Sequence, residues 1–474
     1  MYAGINYIYP ELIIAIMSCF ILIFDLFIKE NKKFLIYYLT QITLIFSIFK
    51  LYDLPNDNAL ILFNGSFILD FFGIFTKIVI LIISIVIFIY SKLYLSYIDL
   101  CKSEYFVLCL LSILGMMIMI SSGNFLTLYL GLELLSLPLY SLIIANKSNI
   151  SSEASMKYFI MGSVASGIFL FGVSLVYGVT GTIEFGLISK TILEDEVFSN
   201  ITLQYGLVFI MAGLIFKFGA VPFHMWVPDV YQGSPIPITL FISTVPKIAA
   251  LGMAYRLLSN SFSNINNELE FLFIIIGTLS LFIGNIFAIM QENIKRLLAY
   301  SAISHVGFIF LGFLVPDSSS YSAVIFYVIT YVITTLGLFG IVIALSSKFK
   351  ESELIKDFTG LGFSNPITAL MMVIFLLSLA GVPPTVGFYA KFFILKNLVS
   401  YGYIELAIFS VLMSVVGVFY YLKIIKSMFF EDCDIIFNIR GISGFGLVLI
   451  VVNGLLVLFI GIFPMSIFKF CSLI

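Results

Sequence analysis

The sequence predicts an all-α polytopic membrane protein with about fourteen transmembrane helices, and three observations carry that class. Of 474 residues, 61% are hydrophobic and only 11% are charged, against roughly 45–50% apolar and about 25% charged in soluble proteins. The apolar residues fall in runs of about 20, the helix length that crosses a bilayer's roughly 30 Å core. Backbone groups in lipid must be bonded within their own segment, which makes such runs helical. A soluble enzyme is excluded by composition alone.

The runs lie near 10–28, 34–50, 68–91, 104–121, 125–144, 154–177, 203–231, 236–258, 271–290, 297–315, 322–345, 367–400, 404–429 and 445–468. The first ends in Lys29, Lys32 and Lys33 rather than a small-residue cleavage site, so no cleavable signal is expected. Two runs, 203–231 and 367–400, are too long for one straight helix. Gly219 and Pro222 interrupt the first, and Gly381, Pro383 and Pro384 the second. Proline removes a helical donor and clashes with the preceding turn, so both are expected to be broken helices.

Lysine and arginine bias sets the orientation. One set of alternate loops carries Lys29, Lys32, Lys33, Lys92, Lys102, Lys147, Lys295, Arg296, Lys348, Lys350, Lys356, Lys426 and Arg440. The other carries Lys50, Lys190, Arg256 and Lys469. Both termini are therefore expected outside the cytoplasm, with the acidic loop of Glu184, Glu194, Asp195 and Glu196 on the same side.

Spans four to eight and nine to thirteen read as two copies of one five-helix unit, each with its fourth span broken. Gly219-Ala220-Val221-Pro222 matches Ala380-Gly381-Val382-Pro383. An odd span number inverts the second copy, an arrangement found in transporters. The chain then divides into a three-helix segment (1–103), a first repeat (104–258), a second, inverted repeat (271–429) and a C-terminal helix (430–474).

Other chemistries find little support. A net charge of −2 argues against nucleic acid. Cys19, Cys101, Cys109, Cys433 and Cys471 form no CxxC pair, and His224 and His305 are the only histidines, so no metal or cluster site is expected. No GxGxxG follows a strand pattern.

What remains is charge at membrane depth, which costs about 2.5–3.5 kcal/mol or more per residue in lipid. Glu133 is mid-span five, Lys217 precedes the first break, Lys247 follows Pro246, and Lys391 follows the second break. Lys157, His224 and His305 complete the set. Ionisable groups spread along the chain suit a proton relay better than one solute pocket. Burial disfavours the charged form of lysine and a nearby carboxylate restores it, so moving the carboxylate's partner switches the amine between holding and releasing a proton. Histidine passes protons near neutrality. Plainer roles stand beside these: snorkelling for Lys157, helix capping for His224, a satisfied polar contact for His305, and static ion pairs for the rest. Asp25, Asp70 and Lys77 read as span-end residues, and the methionines and Trp226 as packing.

Four segments carry a family resemblance: VPFHMWVPDVYQGSPIP at 221–237, EASMKYF at 153–159 leading to YGVTGT at 177–182, NIKRLLAYSAISHVG at 293–307, and SLAGVPPTVGFYAKF at 378–392. The chain resembles the antiporter-like membrane-arm subunits of respiratory complex I, the type I NADH dehydrogenase. Lysine rather than glutamate at 391 favours the subunit N branch, counterpart of mitochondrial subunit 2. Ser301-Ala302 before Ile303-Ser304-His305 is a mild departure from the family pattern. The resemblance implies coupling of NADH oxidation and quinone reduction to proton transfer across a bacterial inner membrane. It implies Glu133 and Lys217 as an acid–lysine pair, Lys247 as the central lysine and Lys391 as the lysine toward the outlet, with Lys157, His224 and His305 inside matching motifs. It implies no cofactor in this chain, with NADH, FMN, iron–sulfur clusters and quinone in the complex, and the other membrane-arm subunits and the bilayer as partners. A multisubunit Na⁺/H⁺ antiporter or membrane-bound hydrogenase subunit is the alternative within the superfamily. A stand-alone solute transporter and a structural scaffold are the alternatives outside it.

Overall fold

The structure, a computed structural model, describes residues 2–28, 34–55, 59–98, 100–194, 200–262, 266–346, 352–431 and 441–472. Lys29, Lys32, Lys33, Asp195, Glu196, Lys348, Lys350, Cys433 and Arg440, named above, lie outside the described residues.

The described residues form α1 (Tyr9–Asp25), α2 (Phe34–Tyr52), β1 (Leu60–Leu62), β2 (Phe67–Leu69), α3 (Phe71–Tyr97), α4 (Ser103–Ile120), α5 (Phe125–Ile143), α6 (Asn149–Thr180), α7 (Phe185–Glu194), α8 (Ile201–Phe218), α9 (Trp226–Gly233) and α10 (Ile236–Tyr255). They continue with α11 (Asn266–Ile289), α12 (Ile294–Phe313), α13 (Ser318–Leu345), α14 (Leu361–Ser364), α15 (Pro366–Ala380), α16 (Val386–Ser400), α17 (Ile404–Phe430), α18 (Gly444–Ile462) and α19 (Pro464–Cys471). Among the described residues, thirteen helices are long and apolar enough to cross a membrane. The remaining expected span is the interrupted pair α15 and α16, so the polytopic all-α class holds. One short hairpin, β1–β2, is added to it. Its four-residue turn places Phe63, Asn64 and Gly65 at positive φ, a conformation that glycine and asparagine adopt most readily.

Both expected breaks are present. After α8 the chain turns at Gly219, whose φ is +74°, and restarts as the eight-residue α9. A Cβ there would sit 2.5 Å from Val227 Cγ2, so the position needs glycine for both conformation and space. The freed amide of Val221 donates to Ser280 Oγ at 3.0 Å. In the second break Gly381 ends α15 in the left-handed conformation, and Val382 N bonds back to Leu377 O at 3.0 Å. That closing bond is the ordinary device for stopping a helix. Both breaks contain a cis X–Pro peptide, at Val221-Pro222 and Pro383-Pro384.

The chain forms two compact units. The first gathers the described residues of 1–88, 99–217 and 245–267, and the second those of 89–98, 218–244 and 268–474. In the first unit α4 and α5 approach closely because Gly115 and Gly131 face the other helix's backbone. A Cβ would lie 2.3 Å from Leu135 N at Gly115 and 2.6 Å from Met119 N at Gly131. Small residues permit such contact between helices in lipid. In the second unit α13 is almost wholly enclosed. Gly337 lets it pack on the ring of Phe375 in α15, where a Cβ would meet Phe375 Cζ at 2.1 Å.

Two basic residues assigned above to loops are instead inside. Arg256 is 0% exposed and Lys295 is 1% exposed. Each is drawn in by a carboxylate, Asp70 for Arg256 and Glu353 for Lys295, which offsets the cost of burying the cation.

Candidate functional site

The candidate residues fall into two groups, one within each unit. In the first unit Gly131 presses α5 onto α4 and fixes the turn that carries Glu133. The half-buried Glu133 accepts a hydrogen bond on Oε1 from Ser166 Oγ of α6. Lys217, near the end of α8, donates from Nζ to Ser136 Oγ at 2.6 Å, and Ser136 in turn donates to Leu132 O at 2.5 Å. Among the described residues Glu133 and Lys217 form no direct ion pair. Ser136 lies three residues past Glu133, on the same face of α5, so the acid and the amine meet the same helix one turn apart. Each group has its own hydroxyl partner, Ser166 for Glu133 and Ser136 for Lys217, so neither charge is locked in a salt bridge with the other.

Lys247 is 5% exposed within α10. Pro246, inside the helix, removes one backbone donor beside it. Lys157 sits on the exposed side of α6, where it pairs with Glu153 at 2.8 Å with its side chain 45% exposed. The structure gives Lys157 a surface ion pair of the i, i+4 kind rather than a buried setting.

In the second unit α16 folds back so that Lys391 Nζ donates to Ala380 O at 2.8 Å and to Ser414 Oγ of α17 at 2.8 Å. The amine also lies 5.4 Å from the centroid of the Phe308 ring. Ala380 is the last residue of α15, so the ammonium meets the negative end of a half-helix as well as an aromatic face. Gly381 makes this possible: a Cβ there would be 2.9 Å from Lys391 Cδ.

His305, on α12, is 7% exposed. Its Nδ1 is 2.7 Å from Tyr327 Oη and its Nε2 is 3.3 Å from Tyr421 Oη. Tyr421 Oη continues to Ser301 Oγ at 2.5 Å. A narrow cavity lined by His305, Tyr327, Tyr331, Thr334, Ser378 and Lys391 joins the imidazole to the amine. Its free volume, about 10 Å³, is at the lower limit for one water, and its walls supply the polar partners a water needs. His224 lies in the turn before α9 and is half-buried. The N-cap of α9 is Met225, with no side-chain cap bond.

Sequence reasoning passed over several of these groups. Ser136 was legible from its spacing to Glu133. Ser166, Tyr327, Tyr421 and Ser414 come from other helices and carry no local signal. Two buried ion pairs of the first unit were also missed as such. Lys77 Nζ meets Glu11 Oε1 at 2.5 Å, with side chains 1% and 8% exposed. Arg256 holds Asp70 with two bonds, Nη1 to Oδ2 at 2.6 Å and Nη2 to Oδ1 at 2.7 Å. Burial alone would raise the Asp70 carboxyl, but the Arg256 guanidinium, helped by the Gly73 amide, holds it below its ordinary 3.8. No group of three or more metal-ligating side chains occurs among the described residues.

Comparison with known proteins identifies the family of this chain. The family model described as NADH:quinone oxidoreductase/Mrp antiporter, TM, matches residues 122–417, which hold all seven candidate residues. NADH-quinone oxidoreductase subunit N of Thioalkalivibrio sulfidiphilus is 45% identical over 456 residues, covering 96% of this chain and 95% of the relative. A chain of respiratory complex I from Thermus thermophilus with bound aureothin superposes with a TM-score of 0.83 at 27% identity, covering 97% of this chain and 98% of that one. A chain of the membrane-bound sulfane sulfur reductase, an archaeal respiratory membrane complex, gives 0.86 at 25% identity, covering 99% and 96%. The fold and the family match define a membrane protein of the complex I and antiporter class. Within that class the chain belongs to the family of NADH-quinone oxidoreductase subunit N.

Proposed function

We infer that Glu133, Lys217, Lys247, His305 and Lys391 carry protons through this chain, with Lys157 and His224 as accessory groups. The chain is a proton-translocating membrane-arm subunit of NADH-quinone oxidoreductase and a multi-pass protein of the bacterial inner membrane. It works with the other membrane-arm subunits, and NADH, FMN, iron–sulfur clusters and quinone belong to the rest of the complex. On the lysine bias both termini face away from the cytoplasm. Residues 104–258 and 271–429 act as two inverted repeats, each contributing one broken helix.

The observation that carries this reading is the bonding of the two lysines. Lys217 and Lys391 are each held by a hydroxyl, Ser136 and Ser414, rather than locked to a carboxylate. A hydroxyl accepts from an ammonium and donates to an amine, so both protonation states keep a partner. A change in the field of Glu133 then shifts the proton affinity of Lys217. Moving a charge against the membrane costs about 2.3 kcal/mol per 100 mV, and a two-unit change in affinity supplies about 2.7 kcal/mol. Lys247 is the central station, and His305 and Lys391 handle the outward step through their shared cavity.

The test is Glu133→Ala and Lys217→Ala in the assembled complex, with NADH-driven proton pumping as the readout. Lost pumping with intact assembly is expected, and normal pumping by both variants refutes the roles. The Na⁺/H⁺ antiporter reading has one observation behind it, the inclusion of Mrp antiporters in the matching family description. Co-purification with other antiporter subunits instead of iron–sulfur partners would favour it.

A further inference from the structure

Away from the groups just described, the first unit buries a second acid–lysine pair. Glu11, near the start of α1, meets Lys77, in the second turn of α3, at 2.5 Å. Residues 122–417, which match the family model, do not include either. The pair is enclosed: Glu11 is 6% exposed and Lys77 1%, and the ring of Phe67 lies 4.8 Å from the ammonium. Its neighbour Asp70 is fully engaged by Arg256 and by the Gly73 amide. Glu11 uses only one oxygen. Its Oε2 is buried and has no protein partner.

A static pair in a dry setting would saturate both oxygens, because an unsatisfied buried acceptor is costly and close to break-even pairs gain nothing from it. An open oxygen on a buried carboxylate whose other oxygen touches an ammonium is instead a place for a proton to arrive. We propose that Glu11 and Lys77 form an additional proton-transfer station of this subunit, at the membrane end where α1 and α3 begin. This deepens the proton-pumping reading and rests on it. On the orientation given above, that end faces away from the cytoplasm, so the station serves release.

The step balances. A proton binds Glu11 Oε2 and makes the neutral acid. The positive charge left on Lys77 has lost its counterion, so Nζ gives up a proton to a water molecule that enters the pair's enclosure from the outer side. The acid proton of Glu11 then passes to the neutral amine and restores the ion pair. One proton enters and one leaves, with no change in the pair.

The experiment uses the whole complex in proteoliposomes. The double variant Glu11→Gln with Lys77→Met removes both charges together, which a purely structural pair tolerates because neither partner is stranded. The station predicts a loss of proton yield, with fewer protons moved per NADH than by the wild-type complex. Wild-type proton yield in this variant, with Glu133→Ala still defective, overturns the station alone. Wild-type yield in both overturns the pumping roles as well. Should the double variant not assemble, Glu11→Asp keeps the charge and serves for infrared difference spectroscopy. A carboxylic-acid stretching band that appears on adding NADH and shifts in Glu11→Asp supports the proposal, and the same band unshifted refutes it.

Discussion

Lys391 Nζ lies 2.8 Å from the carbonyl oxygen of Ala380, eleven residues back along the chain and on the other side of a helix break. The amine of one half-helix thus closes the open carbonyl end of the other. A continuous helix would leave no carbonyl for it, which is why the Gly381-Val382-Pro383-Pro384 interruption and the lysine belong together.

Gly381→Ala tests that link. The residue has φ +84°, which costs a side chain about 1–2 kcal/mol, and its Cβ would press on Lys391 Cδ. The expected outcome is a lower melting temperature of the complex and slower pumping. Lys391→Arg should not rescue it, since a planar fork replaces a point donor. Thermal unfolding and proton pumping, measured on the same preparations, check both halves.

Ser136→Ala removes the hydroxyl that holds Lys217. A hydrogen bond to a charged group is worth about 1.5–3 kcal/mol, so pumping should slow by roughly ten- to a hundredfold while assembly is kept. Ser136→Thr, which retains the hydroxyl, should recover most of the rate. Equal rates for the alanine variant and the wild type would leave Ser136 without a role.

Much of this was legible before the structure. Composition and run length gave the spans, and the Gly and Pro positions gave both breaks, because those signals are local and periodic. The acid and lysines were legible because charge in lipid is costly wherever it falls. The partners were not. Lys77 reads as a span-end residue, yet α3 begins at Phe71, which sets Lys77 nearly two turns inside, where Glu11 reaches it from 66 residues away. Tyr327 and Tyr421 reach His305 from two other helices. Such pairings depend on how helices pack, which no local pattern encodes. Arg256 misled for the same reason: it looks like a loop cation, and Asp70 draws it in.

The Asp70–Arg256 pair predicts an acid response. The folded Asp70 carboxyl titrates below its ordinary 3.8, so the pair contributes its full stability above about pH 4 and loses it as the pH falls through the depressed value. Asp70→Asn should flatten the melting temperature's dependence on pH in that acid range. Arg256→Met strands the carboxylate and should cost about 3–5 kcal/mol. Melting curves of the detergent-solubilised complex between about pH 3 and 7 decide both.

Tyr327→Phe removes the hydroxyl 2.7 Å from His305 Nδ1 and keeps the ring that lines the cavity leading to Lys391. The lost hydrogen bond is worth about 0.5–1.5 kcal/mol, so pumping should fall by up to about tenfold, with quinone reductase activity preserved when the membrane is made leaky to protons. An unchanged proton yield would remove His305 from the relay.

The most direct measurement is the number of protons moved per NADH oxidised by the complex carrying Lys247→Met in sealed proteoliposomes. Lys247 is enclosed in α10, and methionine fills its stem without charge. The account predicts that the assembled variant pumps few or no protons. A wild-type proton yield from the same assembled variant would contradict it.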